Sequence, residues 1–258
     1  MGKTAIVTGA SAGIGAEFAR ALAARGYDLL LIARDGARLK DLAERLRAEK
    51  HIQATTLAAD LTDRTGLARA EEAVRSEREL SLLVNNAGFG TAGLFARSDL
   101  AREDQEIRLN VLALVHLTHA ALPGLIARGE GGVINVSSVQ GFMPSAYLAT
   151  YGATKAFVNS FTESVASELR GTGVKIQTLA PGFTRTEFQA RANMKTEIVP
   201  TNAWMTPEAV VKASLAAFDR GDLLCVPGAQ NQAMMGLEKF LPRALTRRIS
   251  TALARRVV

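Results

Sequence analysis

The sequence predicts a doubly wound α/β fold, a parallel seven-stranded sheet with helices on both faces and a helical tail at the C-terminus. Three observations lead there. Short apolar runs alternate with stretches of helical spacing from the first residues to beyond residue 220. The runs are apolar throughout rather than at every second position, as strands covered on both faces are. The first run enters a helix through a turn that carries Gly9, Gly13 and Gly15. With right-handed crossovers this gives a Rossmann-like sheet.

Residues 3–8 read as the first strand, 9–15 as the glycine turn and 16–25 as a helix with Phe18, Ala21 and Leu22 on one face, stopped by Gly26. Residues 27–33, with Leu29 to Ile32, form the second strand, and Leu39, Leu42, Ala43 and Leu46 mark the next helix. A strand at 52–57 ends before Asp60, a helix covers 62–76, and a strand at 80–84 runs into Asn85-Asn86-Ala87-Gly88. A long helix is expected over 100–122, then a strand over 132–136 that ends at Ser137-Ser138, and a helix over 150–169. A strand at 174–179 closes with Pro181-Gly182, and a helix at 207–218 and a strand at 223–226 complete the alternation. Residues 183–205 do not fit it and are expected to form a lid over the carboxyl ends of the strands. A catalytic, dinucleotide-binding domain is expected over 1–228 and a basic helical extension over 229–258.

The 258 residues are 48% apolar and 22% charged, which suits one large domain and excludes wholesale disorder. One cysteine, Cys225, in an apolar strand run, excludes a disulfide framework. His116 and His119 have no cysteine or acidic cluster beside them, so no metal is expected. A strand at the start leaves no room for a leader, and the apolar stretch 111–126 is interrupted by His116, His119 and Pro123, so a cytoplasmic protein is expected. Six basic residues and one acid between 237 and 258 carry most of the net charge of +6, which argues against a nucleic-acid surface. There Leu245, Ile249, Ala252 and Leu253 make a basic amphipathic helix. It would pack across a substrate mouth, join two copies as a homodimer or higher homo-oligomer, or rest on a membrane surface; the first two are favoured.

The turn Gly9-Ala10-Ser11-Ala12-Gly13-Ile14-Gly15 is suited to phosphate, because glycines allow close approach and a helix N-terminus offers free N–H groups. About 20 residues on, at the end of the second strand, an acid would select the ribose of NAD and an arginine the 2′-phosphate of NADP. Ala33 leaves room for phosphate and Arg34 can hold it, with Ser11 as a further donor, so NADP is favoured over NAD. The other reading has Arg34 solvated and Asp35 on the ribose. Further on, Tyr151 and Lys155 stand at i and i+4 on one helix face, where an ammonium would draw a phenol pKa of ~10 toward neutrality and fit it for acid/base work.

Taken in order, TGASAGIG at 8–15, Asp60-Leu61, Asn85-Asn86-Ala87-Gly88, Asn110, Ser138, Tyr151-x-x-x-Lys155 and Pro181-Gly182 resemble the classical short-chain dehydrogenases/reductases over about the first 230 residues. The resemblance implies that Gly9, Ser11, Ala12, Gly13, Ile14 and Gly15 bind the cofactor, with Asp60 and Leu61 at the adenine and Asn86, Ala87 and Gly88 along it. Pro181, Gly182 and Thr184 would meet the nicotinamide end. It further implies a catalytic set of Asn110, Ser138, Tyr151 and Lys155. Ser138 would bind the substrate oxygen and Tyr151 would be the acid or base. Lys155 would bind the ribose and lower the phenol pKa, aided by the charge of oxidised nicotinamide, and Asn110 would support a water relay to Lys155. The run after residue 228 resembles the subgroup of hydroxysteroid dehydrogenase-like reductases.

Phe89, Phe142, Tyr147, Phe183, Phe188, Met194, Trp204 and Met205 are expected around a mostly apolar substrate pocket, with Arg185, Arg191 and Lys195 leaving an acidic substrate open. The expected function is NADP(H)-dependent interconversion of a carbonyl and a secondary alcohol on a small molecule. The alternative is a non-catalytic NADP(H)-binding sensor or scaffold, which would not need Asn110, Ser138, Tyr151 and Lys155 together.

Overall fold

The computed structural model describes residues 2–192, 194, 199–238 and 251. Strands β1 (Thr4–Thr8), β2 (Asp28–Ala33), β3 (Ala54–Ala58), β4 (Leu80–Asn85), β5 (Gly132–Val136), β6 (Lys175–Leu179) and β7 (Leu224–Cys225) pair in the order β3-β2-β1-β4-β5-β6-β7, all parallel. Between them run α1 (Gly13–Ala24), α2 (Gly36–Lys50), α3 (Arg64–Ser76), α4 (Leu100–Ile107), α5 (Leu114–Arg128), α6 (Ala149–Glu168), α7 (Phe188–Arg191) and α8 (Pro207–Arg220), and α9 (Ala229–Glu238) follows β7.

Successive residues of one strand feed two cores. Ala5 and Val7 pack with Phe18 and Leu22 of α1 and Val210 of α8, while Ile6 between them packs with Val74 of α3 and Leu117 of α5. Both faces of the strand are dry, which is why its sequence shows no alternation. Side chains mark several helix starts: Asp35, Asp63, Asp99 and Thr206 each accept a hydrogen bond from a backbone N–H in the first turn of α2, α3, α4 and α8.

The expected helix over 100–122 is longer and interrupted. A π-helical turn, Arg108–Ala113, separates α4 from α5, and α5 continues through Pro123 to Arg128, where Gly129 takes φ +70°. By length and composition the helical stretch 100–128 could cross a membrane, since it holds an 18-residue window of mean hydropathy 1.6. Here Leu117, Ala121 and Leu125 bury it against the sheet. Other boundaries move by a residue or two, except that α1 opens inside the glycine turn and β7 has two residues. The basic helix expected around Leu245, Ile249, Ala252 and Leu253 lies outside the described residues, apart from a helical Thr251. Lys195 lies outside them too.

The chain reverses its path across the sheet between β1 and β4, where such sheets bind ligands. Polar groups tie that crevice together. Thr8 Oγ1 donates to Val84 O (3.3 Å) and accepts from Asn86 N (2.9 Å) and Ala87 N (3.0 Å). Asn85 Nδ2 donates to Thr118 Oγ1 of α5 and Asn135 Oδ1 of β5, and Asn135 Nδ2 to Thr162 Oγ1 of α6. These buried amides and hydroxyls pin two helices to the sheet beneath the crevice. Thr8→Val keeps the side-chain shape but leaves two N–H groups without their acceptor. It is expected to lower unfolding free energy by about 1–3 kcal/mol in urea titration; a stability equal to the parent's would remove Thr8 from this role.

Candidate active site

A cleft of about 740 Å³ opens at the carboxyl ends of the strands. At one end lies the N-terminus of α1, which has no side-chain cap and no acid in its first turn. Its free N–H groups and positive dipole end face Ser11, Ala12, Gly13 and Ile14 on the cleft wall. The turn needs its glycines: Gly9 has φ +65°, and a Cβ on Gly15 would stand 2.3 Å from Gly9 O. Gly15 is therefore a packing residue behind the wall rather than part of it. The donor set fits a dinucleotide phosphate.

Arg34 and Asp60 stand farther along, paired loosely at 3.9 Å, Arg34 exposed and Asp60 half-buried, with Leu61 beside them. Asp60 Oδ1 accepts from Thr62 N and Oγ1, while the cap of α3 is Asp63. Asp35 is held by its own helix, accepting from Arg38 N at 3.0 Å. Asn86 Nδ2 donates to Thr8 O and Gly9 O, so the segment Asn86-Ala87-Gly88 joins the glycine turn to β4 along the cleft. Pro181, Gly182 and Thr184 form the opposite wall. It is pinned by Val139 N donating to Pro181 O and by Asn231 of α9, which fills the space where a Gly182 side chain would be.

Tyr151 and Lys155 project from α6 into the same cleft, 9% and 5% exposed, beside Ser138 at the end of β5. Burial pushes the Tyr151 phenol up to about 12, the Ser138 hydroxyl in hydrogen-bonding reach pulls it back, and the Glu106 charge raises it. Burial pulls the Lys155 ammonium down to about 8, against the opposing effect of Glu106. This corrects the expectation from i, i+4 spacing. Lys155 Nζ turns to Val136 O at 2.9 Å and lies 5.8 Å from the Tyr151 ring centre, so in this state desolvation outweighs any pull of the ammonium on the phenol. The hydroxyl of Ser137, next to Ser138, is turned to Lys155 O and Asn159 Oδ1 of α6.

A family model described as short chain dehydrogenase matches residues 3–197. The chain belongs to the short-chain dehydrogenase family. It is 38% identical over 191 residues to sulfoacetaldehyde reductase 2 of Chromohalobacter salexigens, covering 73% of this chain and 75% of that one. Among solved structures it resembles a short-chain dehydrogenase from Sphingobium yanoikuyae in complex with NADPH (37% identity, TM-score 0.84, 93% of this chain and 96% of that one). It also resembles the bulky-bulky ketone specific alcohol dehydrogenase from Comamonas testosteroni (35% identity, TM-score 0.80, 94% and 96%). The protein is thus an oxidoreductase acting between a carbonyl and its alcohol on a small molecule.

In this short-chain dehydrogenase Asn110 does not reach the cleft wall. It sits on the π turn, 1% exposed, and donates to Phe89 O (2.8 Å) and Thr154 Oγ1 (3.1 Å) while its Oδ1 accepts from Phe89 N (3.2 Å). Its observed bonds brace the loop after β4 rather than contact Lys155, and the wider turn is what aims it there. The lid brings Phe183, Phe188 and Met194 to the cleft that Phe89 also lines, and Phe188 packs on Tyr151 at a tilt of 51° with ring centres 5.4 Å apart. Four residues expected there lie elsewhere. Phe142 packs under α9, Tyr147 uses its carbonyl to hold Gly93 N, Trp204 packs at a tilt on Phe183 within the lid, and Met205 bonds through its backbone to Phe183 and Arg185. A further link the spacing of motifs does not signal is Arg38 of α2, which bonds Glu187 of the lid at 2.9 Å across the cofactor end and, with burial opposing, holds that carboxyl below its usual range.

The lysine carries a linkage sign that can be tested. Unfolded, its pKa is 10.5; folded, about 8. Between those values the unfolded chain binds more protons, so stability from this group rises with pH. Lys155→Met, with no group to titrate, is expected to lose that rise in melting experiments between pH 8 and 10.5. An unchanged slope would contradict the burial of the charge.

Proposed function

We propose that this enzyme is an NADP(H)-dependent reductase or dehydrogenase of a mostly apolar ketone or aldehyde and its alcohol, with Tyr151 as the acid and base. The observation that carries the reading is the placing of Ser138, Tyr151 and Lys155 at the buried end of the same cleft whose other end is an uncapped helix N-terminus. When bound, the nicotinamide supplies hydride to the substrate carbon or takes it back.

The chain's own groups supply the rest. Ser138 Oγ, next to the phenol, would hold the substrate oxygen in line with it. The Tyr151 hydroxyl would give its proton to that oxygen as the alcohol forms and take it back in oxidation. Lys155 would hold the nicotinamide-side ribose and bring positive charge to the phenol when the cofactor site is filled. Asn110, by fixing Phe89 and the loop after β4, would support the wall on which these groups act. Arg34 supports NADP over NAD, since its only ion pair among the described residues is the loose one with Asp60, while Asp35 is occupied by capping α2. Phe89, Phe183, Phe188 and Met194 support an apolar substrate. The relatives' names span a small sulfonated aldehyde and bulky ketones, so the lining residues of this chain weigh more in that choice.

Tyr151→Phe removes one oxygen from a buried ring. It is expected to cut NADPH oxidation, screened over aromatic ketones, steroids, aldehydes and 3-oxoacyl thioesters, by about 100-fold or more, with NADPH affinity by fluorescence unchanged. Full activity would overturn the assignment. Arg34→Ala is expected to reduce the preference for NADPH over NADH by about 10-fold or more, from loss of a charge-assisted contact, read as the ratio of dissociation constants. An unaltered ratio would place 2′-phosphate selection elsewhere.

A further inference from the structure

Three groups beside Tyr151 and Lys155 take no part in the roles above: Thr91, in the loop after β4, and Glu103 and Glu106, one turn apart on α4. Glu106 is 0% exposed and Glu103 5%. Thr91 lies between them. Its N–H donates to Glu106 Oε2 at 2.8 Å, and its hydroxyl stands 2.7 Å from that same oxygen and 3.1 Å from Glu103 Oε2. A threonine hydroxyl has one proton to donate, and an ionised carboxylate has none. Both contacts are hydrogen bonds only if one carboxyl of the pair keeps a proton. The other Glu106 oxygen, Oε1, is buried with no hydrogen-bond partner among the described residues.

A carboxyl in such a place is costly to ionise unless a positive charge is near. The charged groups that face Glu106 are Glu103 on its own helix and Lys155 on α6, with Thr91 as the neutral contact from the loop. Lys155 in turn spends a hydrogen bond on Val136 O, and Glu106 is the carboxylate whose charge supports it. Tyr151 feels the same charge in the opposite sense.

We propose that Glu106 is a positioning residue for the Tyr151–Lys155 pair: a buried carboxyl that holds one proton in common with Glu103 across Thr91 and, on losing it, becomes the counter-charge of the lysine. The proposal rests on the roles assigned to Tyr151 and Lys155 above. Proton loss goes to solvent and involves no other reactant. Burial raises the Glu106 carboxyl to about 7, against a usual 4.5, so the folded protein keeps the proton between those values and the stability it contributes is lost as pH rises through 7. Above that point ionised Glu106 keeps the lysine ammonium charged and opposes early formation of phenolate.

Two readouts on the cofactor-free full chain test this without any substrate. Infrared difference spectra with labelled glutamate, taken across about pH 6 to 8, are expected to show a protonated carboxyl band that disappears and that is missing from Glu106→Gln. NMR titration of labelled lysine is expected to place the Lys155 transition lower by about 1 unit in Glu106→Gln and near the parent value in Glu106→Asp. An unchanged lysine titration in Glu106→Gln, or no carboxyl titrating in that range in the parent, overturns the proposal. If Glu106→Gln does not fold, the parent and Glu106→Asp spectra decide: a carboxyl band lost near neutrality in both supports it, and its absence from the parent overturns it. Turnover, measured separately, tests the reaction assigned above.

Discussion

The site depends on holding an ammonium group inside the protein. Lys155 is 5% exposed, on a helix packed against β5 and β6, and an isolated charge there would cost several kcal/mol. Its surroundings reduce that cost without abolishing it: burial pulls the lysine pKa down to about 8, the Glu106 charge from α4 opposes that fall, and Val136 O accepts from the ammonium at 2.9 Å, so the group remains a cation at neutral pH. Its neighbour Tyr151 obeys the same physics with the opposite outcome, because the charged form of a phenol is the deprotonated one. Burial therefore favours a neutral phenol while the lysine stays charged, the protonation state in which a tyrosine can give a proton.

The rest of the fold keeps this pair where a dinucleotide can reach it. The switch point between β1 and β4 sets the cofactor end, and Thr8 and Asn86 lock the glycine turn to the segment that leads toward Lys155. The amide and hydroxyl chain from Asn85 through Asn135 fixes α5 and α6 to the sheet, so the helix carrying Tyr151 and Lys155 cannot shift without breaking buried hydrogen bonds. The segment after β6 is attached through Phe188 on the tyrosine ring and through the exposed Arg38–Glu187 pair, so it touches both the buried end of the cleft and α2.

Most of the sheet was legible because strands buried on both sides read as unbroken apolar runs; Ala5, Ile6 and Val7 show it directly. This wall of the cleft was legible for another reason: glycine at 9 and 13, and the run Asn86-Ala87-Gly88, are local chemistry at element ends. What was not legible is what depends on surroundings. Spacing makes Tyr151 and Lys155 neighbours but says nothing of solvent, and loss of solvent dominates the phenol. The side-chain bonds of Asn110 to Phe89 and Thr154 were not legible, because the π turn it sits on has no local signature. Phe142, Tyr147 and Trp204 were expected at the substrate because aromatic type alone does not give direction. Glu106 was missed although a signal existed: Glu103, Glu106, Asn110 and Ala113 fall at i, i+3, i+7 and i+10, a polar continuation of the buried helix face.

The central claim is that burial controls the phenol in the free protein and that positive charge arriving with the oxidised cofactor releases it. An NMR titration of ring-labelled tyrosine, assigned with Tyr151→Phe and run with and without oxidised cofactor, measures this directly. The account predicts a Tyr151 transition near 12 in the free protein that falls toward neutrality when the cofactor binds. A transition that does not move on binding, or one already near neutrality in the free protein, would contradict it.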